Sequence, residues 1–95
     1  MYLIYYSKQY KKSLKKIIKS GQYKNFNLSE IDNVVDRIAS GKKLDAKYLS
    51  HSLTGKMSVY KECHIRADLL LIYKIVENQL VLVLVNVGSH SNLFK

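Results

Sequence analysis

Two stretches near the C-terminus constrain the fold most. Leu69 to Val76 and Leu80 to Val87 are nearly continuous apolar runs, joined through Glu77, Asn78 and Gln79. Strands covered on both faces read this way, and the short polar joint makes the pair a hairpin of central strands. Such a hairpin must be covered, and the rest of the chain has to supply the cover. Tyr10, Leu14, Ile17 and Ile18 recur at helical spacing after Lys8, with Gly21 as a stop. Leu28, Ile31, Val34, Val35 and Ile38 repeat the pattern, opened by Asn27 and Glu30 at capping-box spacing and closed by Gly41. Tyr2 to Tyr6 suits a first strand. Ser58 to Arg66 alternates, with Val59, Cys63 and Ile65 on one face and Tyr60, Glu62, His64 and Arg66 on the other. Lys42 to Gly55 has no period and is expected to be a mostly irregular connection, longer than usual for a compact domain.

The expected architecture is β-α-α-β-β-β, an α+β fold with a mostly antiparallel sheet and two helices packed on one face. Short connections make the last three strands antiparallel neighbours. The polar face of the Ser58 to Arg66 strand leaves the other side of the sheet partly open. At 95 residues, the chain is expected to be one domain over residues 1–95.

Charge narrows the partners. The chain carries a formal +9, and up to Ser29 it has seven lysines and no acid. Lys8, Lys12, Lys15 and Lys19 follow three-and-four spacing, with Lys11 and Lys16 beside them, so one helix presents a stripe of ammonium groups. Such a stripe repels itself unless an anionic backbone neutralises it, and eight tyrosines are available for stacking on bases. Nucleic acid is the expected partner; a basic face kept only for solubility is the alternative. The longest apolar stretch is broken by Lys74, Glu77, Asn78 and Gln79, no segment has the pattern of a signal peptide, and one cysteine precludes an internal disulfide. A soluble cytoplasmic protein that does not engage membranes is expected.

Three histidines, His51, His64 and His90, lie in three separate segments. Imidazole titrates near neutrality, so histidines that converge are candidates for proton transfer, whereas any one alone is an ordinary surface residue. Glu62 shares a strand face with His64, and Asp68, just past that strand, is placed to orient a histidine or to serve as a turn residue. Cys63 and His64 point to opposite faces, and neither a C-x-x-C nor an H-x-x-x-H pair exists, so no metal and no cofactor are expected. Cys63 reads as a small buried hydrophobe. No Gly-rich phosphate loop or G-x-S-x-G elbow is present.

Four segments in order carry a resemblance: Leu44 with Tyr48; HSLTG from His51 to Gly55; YKECHIRADLLLIYK from Tyr60 to Lys74; and GSHSNLF from Gly88 to Phe94. With the strand and lysine helix before them, they resemble the YafQ branch of the RelE/ParE toxin superfamily over essentially the whole chain. The resemblance implies a ribosome-dependent endoribonuclease toxin that cuts mRNA in the ribosomal A site, contacts 16S ribosomal RNA, and is neutralised by a ribbon-helix-helix, DinJ-like antitoxin. The toxin–antitoxin complex would bind operator DNA. By position, His51, His64, Asp68 and His90 correspond to the family's active-site residues, Glu62 to an acidic position, and Phe94 to an aromatic that contacts substrate. Leu69 departs from the family's frequent Trp and removes a stacking surface.

Cleavage by attack of a 2′-OH on the adjacent phosphate requires a base, an acid for the leaving 5′-oxygen, and positive charge on the phosphorane. Two histidines can fill the first two roles, and the third, Arg66 or a lysine the last. Lys8, Lys11, Lys12, Lys15, Lys16 and Lys19 are expected to bind RNA backbone. The rival readings on the same fold are a ParE-like poison of DNA gyrase and a weakened homologue that only binds RNA or antitoxin.

Overall fold

The computed structural model describes residues 1–94; Lys95, the last residue of the expected domain, lies outside them. Strand β1 (Leu3–Tyr6) leads into α1 (Lys8–Ser20). Ser7 caps α1, its hydroxyl accepting from the Tyr10 amide at 3.0 Å. The helix stops at Gly21, whose φ of 65° is left-handed backbone that favours glycine. Helix α2 (Ser29–Ala39) follows; its N-cap position is Leu28, which makes no side-chain cap bond, and the expected Asn27–Glu30 box forms only in part, one residue ahead of it. The Asn27 side chain accepts from the Ser29 amide at 2.9 Å while the Glu30 carboxylate accepts from the Asn27 amide at 3.0 Å.

The connection after α2 is largely irregular, as its sequence suggests, but it contains an element its pattern does not announce. After a single 3₁₀ turn at Ala46–Tyr48, His51–Ser52 forms a two-residue strand, β2, and a second 3₁₀ turn occupies Gly55–Met57. The chain then builds β3 (Lys61–Arg66), β4 (Leu69–Val76) and β5 (Val81–Gly88), and ends in a short helix, α3 (His90–Leu93). Sheet order is β1-β5-β4-β3-β2, with β1 parallel to β5 and every other pair antiparallel. The hairpin of the two apolar runs is therefore central. Leu80, expected to begin the second run, turns the corner instead with φ 54°, and the strand starts at Val81.

Both helices cover one face. Tyr10 and Ile17 of α1, and Ile31, Val34, Val35 and Ile38 of α2, pack in one buried cluster with Cys63, Leu69, Leu71, Tyr73, Leu82, Leu84 and Val87. Each buried aliphatic side chain of this kind stabilises the fold by roughly 1.5–3 kcal/mol before entropy is counted. On the other face, Glu62 is paired with Ile72, and His64 with Leu70. Directly opposed residues share a face, so these two polar side chains sit opposite the core cluster, where Cys63 and its partner Leu71 point.

Two sequence expectations fail at the ends of β3. Val59 lies before the strand and is 66% exposed, so it does not join Cys63 and Ile65. Arg66 does not stay beside Glu62 and His64. The register shifts between His64 and Arg66, which pairs with Leu69, so a bulge at Ile65 breaks the alternation and turns the Arg66 side chain toward α2. No helix is long and apolar enough to cross a membrane among the described residues.

Candidate active site

Pairing of β2 with β3 sets His51 directly opposite Glu62. The His51 Nε2 lies 2.9 Å from Glu62 Oε1, and the same oxygen is 3.9 Å from His64 Nε2. The carboxylate is buried, its side chain 8% exposed, and His64 is largely enclosed at 17%, whereas His51 is open at 55%. A buried carboxylate flanked by two imidazoles has a charge partner whenever either ring takes a proton. His64 Nδ1 lies 3.3 Å from the Ala67 carbonyl, so a proton there is donated to the β3–β4 turn and Nε2 is left on the Glu62 side.

Asp68, in that turn, is engaged with the third histidine. Its Oδ1 accepts from the His90 backbone amide at 3.0 Å and lies 3.2 Å from His90 Nδ1. The His90 amide, then its imidazole, hold the Asp68 carboxyl below the usual aspartate range. With the Nδ1 proton directed at Asp68, His90 Nε2 is available to another group. Ser89 starts α3, its hydroxyl accepting from the Asn92 amide at 3.3 Å, and this one-turn helix presents His90 back toward the sheet. The His64 and His90 rings approach to 5.7 Å between centroids, and Phe94 lies 6.1 Å beyond His90.

The structure thus brings His51, Glu62, His64, His90, Asp68 and Phe94 into one continuous group from four chain segments. Arg66 is not among them. Its Nε and Nη2 each donate to Glu30 at 2.7 Å, and Nη1 donates to the Lys24 carbonyl at 2.8 Å. An arginine with all three nitrogens committed in this way is not free to meet a phosphorane. Leu69, where the sequence lacks a Trp, is fully buried in the core. The exposed aromatic beside the histidines is Phe94.

The six α1 lysines singled out by sequence are all exposed, and none forms an ion pair with a described residue. Of two shallow clefts, the first adjoins the site at His64 and the second lies beside α1. One, about 420 Å³, has His64, Tyr48, Asn33 and Lys47 in its walls. The other, about 320 Å³, runs between α1 and α3 past Lys16, Ser13, Asn86 and Asn92. Tyr48 stands in the first of the resembling segments, whereas nothing in the sequence marks Asn33 as a neighbour of His64, because it has no spacing that signals chemistry. Cys63 is buried in the core, and burial first, then the neighbouring Glu62, push its thiol up to about 12, which makes it a poor nucleophile.

Residues 2–95 match a family described as "Bacterial toxin of type II toxin-antitoxin system, YafQ". No curated protein matches the sequence significantly. Among solved structures, a metal-bound toxin from Helicobacter pylori is 39% identical with a TM-score of 0.89, the match covering 99% of this chain and 100% of that one. A chain of the E. coli DinJ-YafQ complex is 26% identical with a TM-score of 0.84, and each chain is covered over 100% of its length. The first of these is described as metal-bound, yet in the present chain no three His, Cys, Asp or Glu side chains meet as a ligand set among the described residues.

Proposed function

The chain belongs to the YafQ family of toxins of bacterial type II toxin-antitoxin systems, and on that premise we propose that it is a ribosome-dependent endoribonuclease cutting mRNA in the A site. The observation that carries this reading is the convergence of three imidazoles on two carboxylates at one partly open surface. Each exposed histidine has its own carboxylate, His51 with Glu62 and His90 with Asp68, so each ring is oriented by a fixed partner.

The reaction follows from that layout. One of the two exposed imidazoles takes the proton of the 2′-OH as its oxygen bonds to phosphorus. The other protonates the 5′-oxygen as the P–O5′ bond breaks, leaving a 2′,3′-cyclic phosphate and a 5′-hydroxyl. His64, between them, is the cation nearest the phosphorane when protonated, a role that falls to it because Arg66 is engaged elsewhere. Phe94 supplies an exposed ring beside His90 for a base to stack on. The α1 lysines hold RNA backbone, both message and ribosomal.

A cognate antitoxin completes the system, supported by the E. coli relative solved in complex with DinJ; the proposal takes that antitoxin to be of the ribbon-helix-helix class and the complex of the two to bind operator DNA. Single substitutions test the chemistry apart from the binding. His51→Ala, His64→Ala and His90→Ala, each induced at the parent's level, should lose growth inhibition and still bind antitoxin. Three variants as toxic as the parent would sink the mechanism.

A further inference from the structure

The turn between β3 and β4 holds two of the three histidines. The Ala67 carbonyl faces His64 Nδ1, and the Asp68 carboxylate binds both the amide and the ring of His90. Ala67 and Asp68 are themselves exposed, and two exposed residues at the tip of a bulged hairpin have little packing of their own to fix them. What fixes them comes from the helical layer. The Tyr23 hydroxyl donates to the Asp68 carbonyl at 2.7 Å. Arg66, the residue before Ala67, is held by a two-pronged pair with Glu30 at 2.7 Å for each prong, and by the Lys24 carbonyl at 2.8 Å. The Phe26 ring lies 5.9 Å from the guanidinium carbon and 6.5 Å from the Tyr23 ring. Glu30 is at once the closing residue of the α2 capping box and the acceptor for Arg66, so the helix start and the turn share one carboxylate.

From this geometry we propose that Tyr23, Glu30 and Arg66 are positioning residues for the histidine cluster: they tie the end of β3 and the Ala67–Asp68 turn to the α1–α2 connection and the first turn of α2, and thereby aim Asp68 at His90 and the Ala67 carbonyl at His64. A bidentate arginine–carboxylate pair restrains direction as well as distance, which a lone lysine would not do in its place. The β-bulge at Ile65 is what makes the clamp possible, since simple alternation would leave Arg66 on the histidine face. The catalytic part of this inference rests on the nuclease reading above; the geometric part does not.

Two mild variants test it. Tyr23→Phe deletes one hydroxyl, and Arg66→Lys keeps the charge without the fork. Asp68 is followed by carboxyl-detected NMR titration, the fold by thermal unfolding, and cleavage by kcat and KM on programmed ribosomes. Because the contacts from His90 and His64 hold the Asp68 carboxyl low, a turn set loose should let Asp68 titrate nearer an ordinary aspartate. Expected is that rise in both variants, with the fold kept, kcat down between about 10- and 100-fold, and KM changed less than about twofold. An Asp68 titration identical to the parent's in both variants overturns the proposal, as does a full kcat once Asp68 is released. Should Arg66→Lys fail to fold, Tyr23→Phe alone decides. A parent that cleaves no RNA while Asp68 is released in the variants contradicts the nuclease reading and supports the positioning one.

Discussion

The three imidazoles of the cluster differ in what surrounds them more than in what they are. His51 and His90 are more than half exposed and each touches one carboxylate oxygen, while His64 is enclosed between them. Asp68 is the member whose ionisation the geometry controls most plainly. Its carboxyl is held below the usual range, so it stays charged as pH falls through the interval where an ordinary aspartate would take a proton, and its grip on His90 is lost only at lower pH. Replacing it by Asn keeps the shape and removes the charge. Asp68→Asn should lower kcat on the order of 10²-fold near pH 7, measured on programmed ribosomes, with the circular dichroism spectrum unchanged. Cys63 marks the opposite case. Buried, with its thiol pushed up to about 12, it should resist a thiol reagent in the native protein and react fully after denaturation.

Elements decide where those residues meet. Helix α1 contributes a face of exposed lysines, and charge reversal of Lys11, Lys12, Lys15 and Lys16 should weaken ribosome association and flatten its salt dependence together, by about one unit of log–log slope for each phosphate no longer neutralised. Affinity unchanged across salt would contradict an RNA-binding helix. Helix α2 is tied to the turn after β3 through Glu30, whose carboxyl is pulled down to about 2, first by its hydrogen bonds from Arg66 and then by the Asn27 amide. A depressed carboxyl stabilises the fold above its ordinary pKa, and that contribution is lost as pH falls toward the depressed value. Glu30→Gln should therefore destabilise the protein by about 1 kcal/mol at pH 7, and the difference from the parent should close near pH 2 in urea titrations. Much of this was legible in sequence. The apolar periods of the two helices and the central hairpin follow directly from side-chain burial, and Asn27 and Glu30 announce the start of α2. The two-residue β2 was not legible, because a strand so short has no period; its identity lies in backbone pairing with Lys61 and Glu62. The bulge at Ile65 was hidden for the same reason, and it alone moves Arg66 from the expected RNA-binding set to a clamp on α2. Glu30 was visible as a cap and not as an ion-pair partner, since nothing local links it to a residue so far along the chain.

At the scale of the whole molecule, one face of the sheet is sealed by both helices and the other carries the polar row that becomes the site. The layout divides labour. A core common to small α+β domains fixes β3 and β4, their turn and the last helix are set against it, and the lysine face of α1 carries charge that no described acid neutralises. His51, His64 and His90 lie in separate segments of the sequence, and only the sheet order β1-β5-β4-β3-β2 and the return of α3 bring them together. Resemblance of short motifs singles these residues out; the fold shows how three separate stretches come to one surface. The central claim, that this group of histidines cuts translated mRNA, is tested most directly by mapping 5′ ends on a message in cells after brief induction. The account predicts new 5′ ends within the coding region, absent when the start codon is removed and absent for His64→Ala and His90→Ala. Growth arrest by the parent with no new 5′ ends, or ends that persist in both histidine variants, would contradict it.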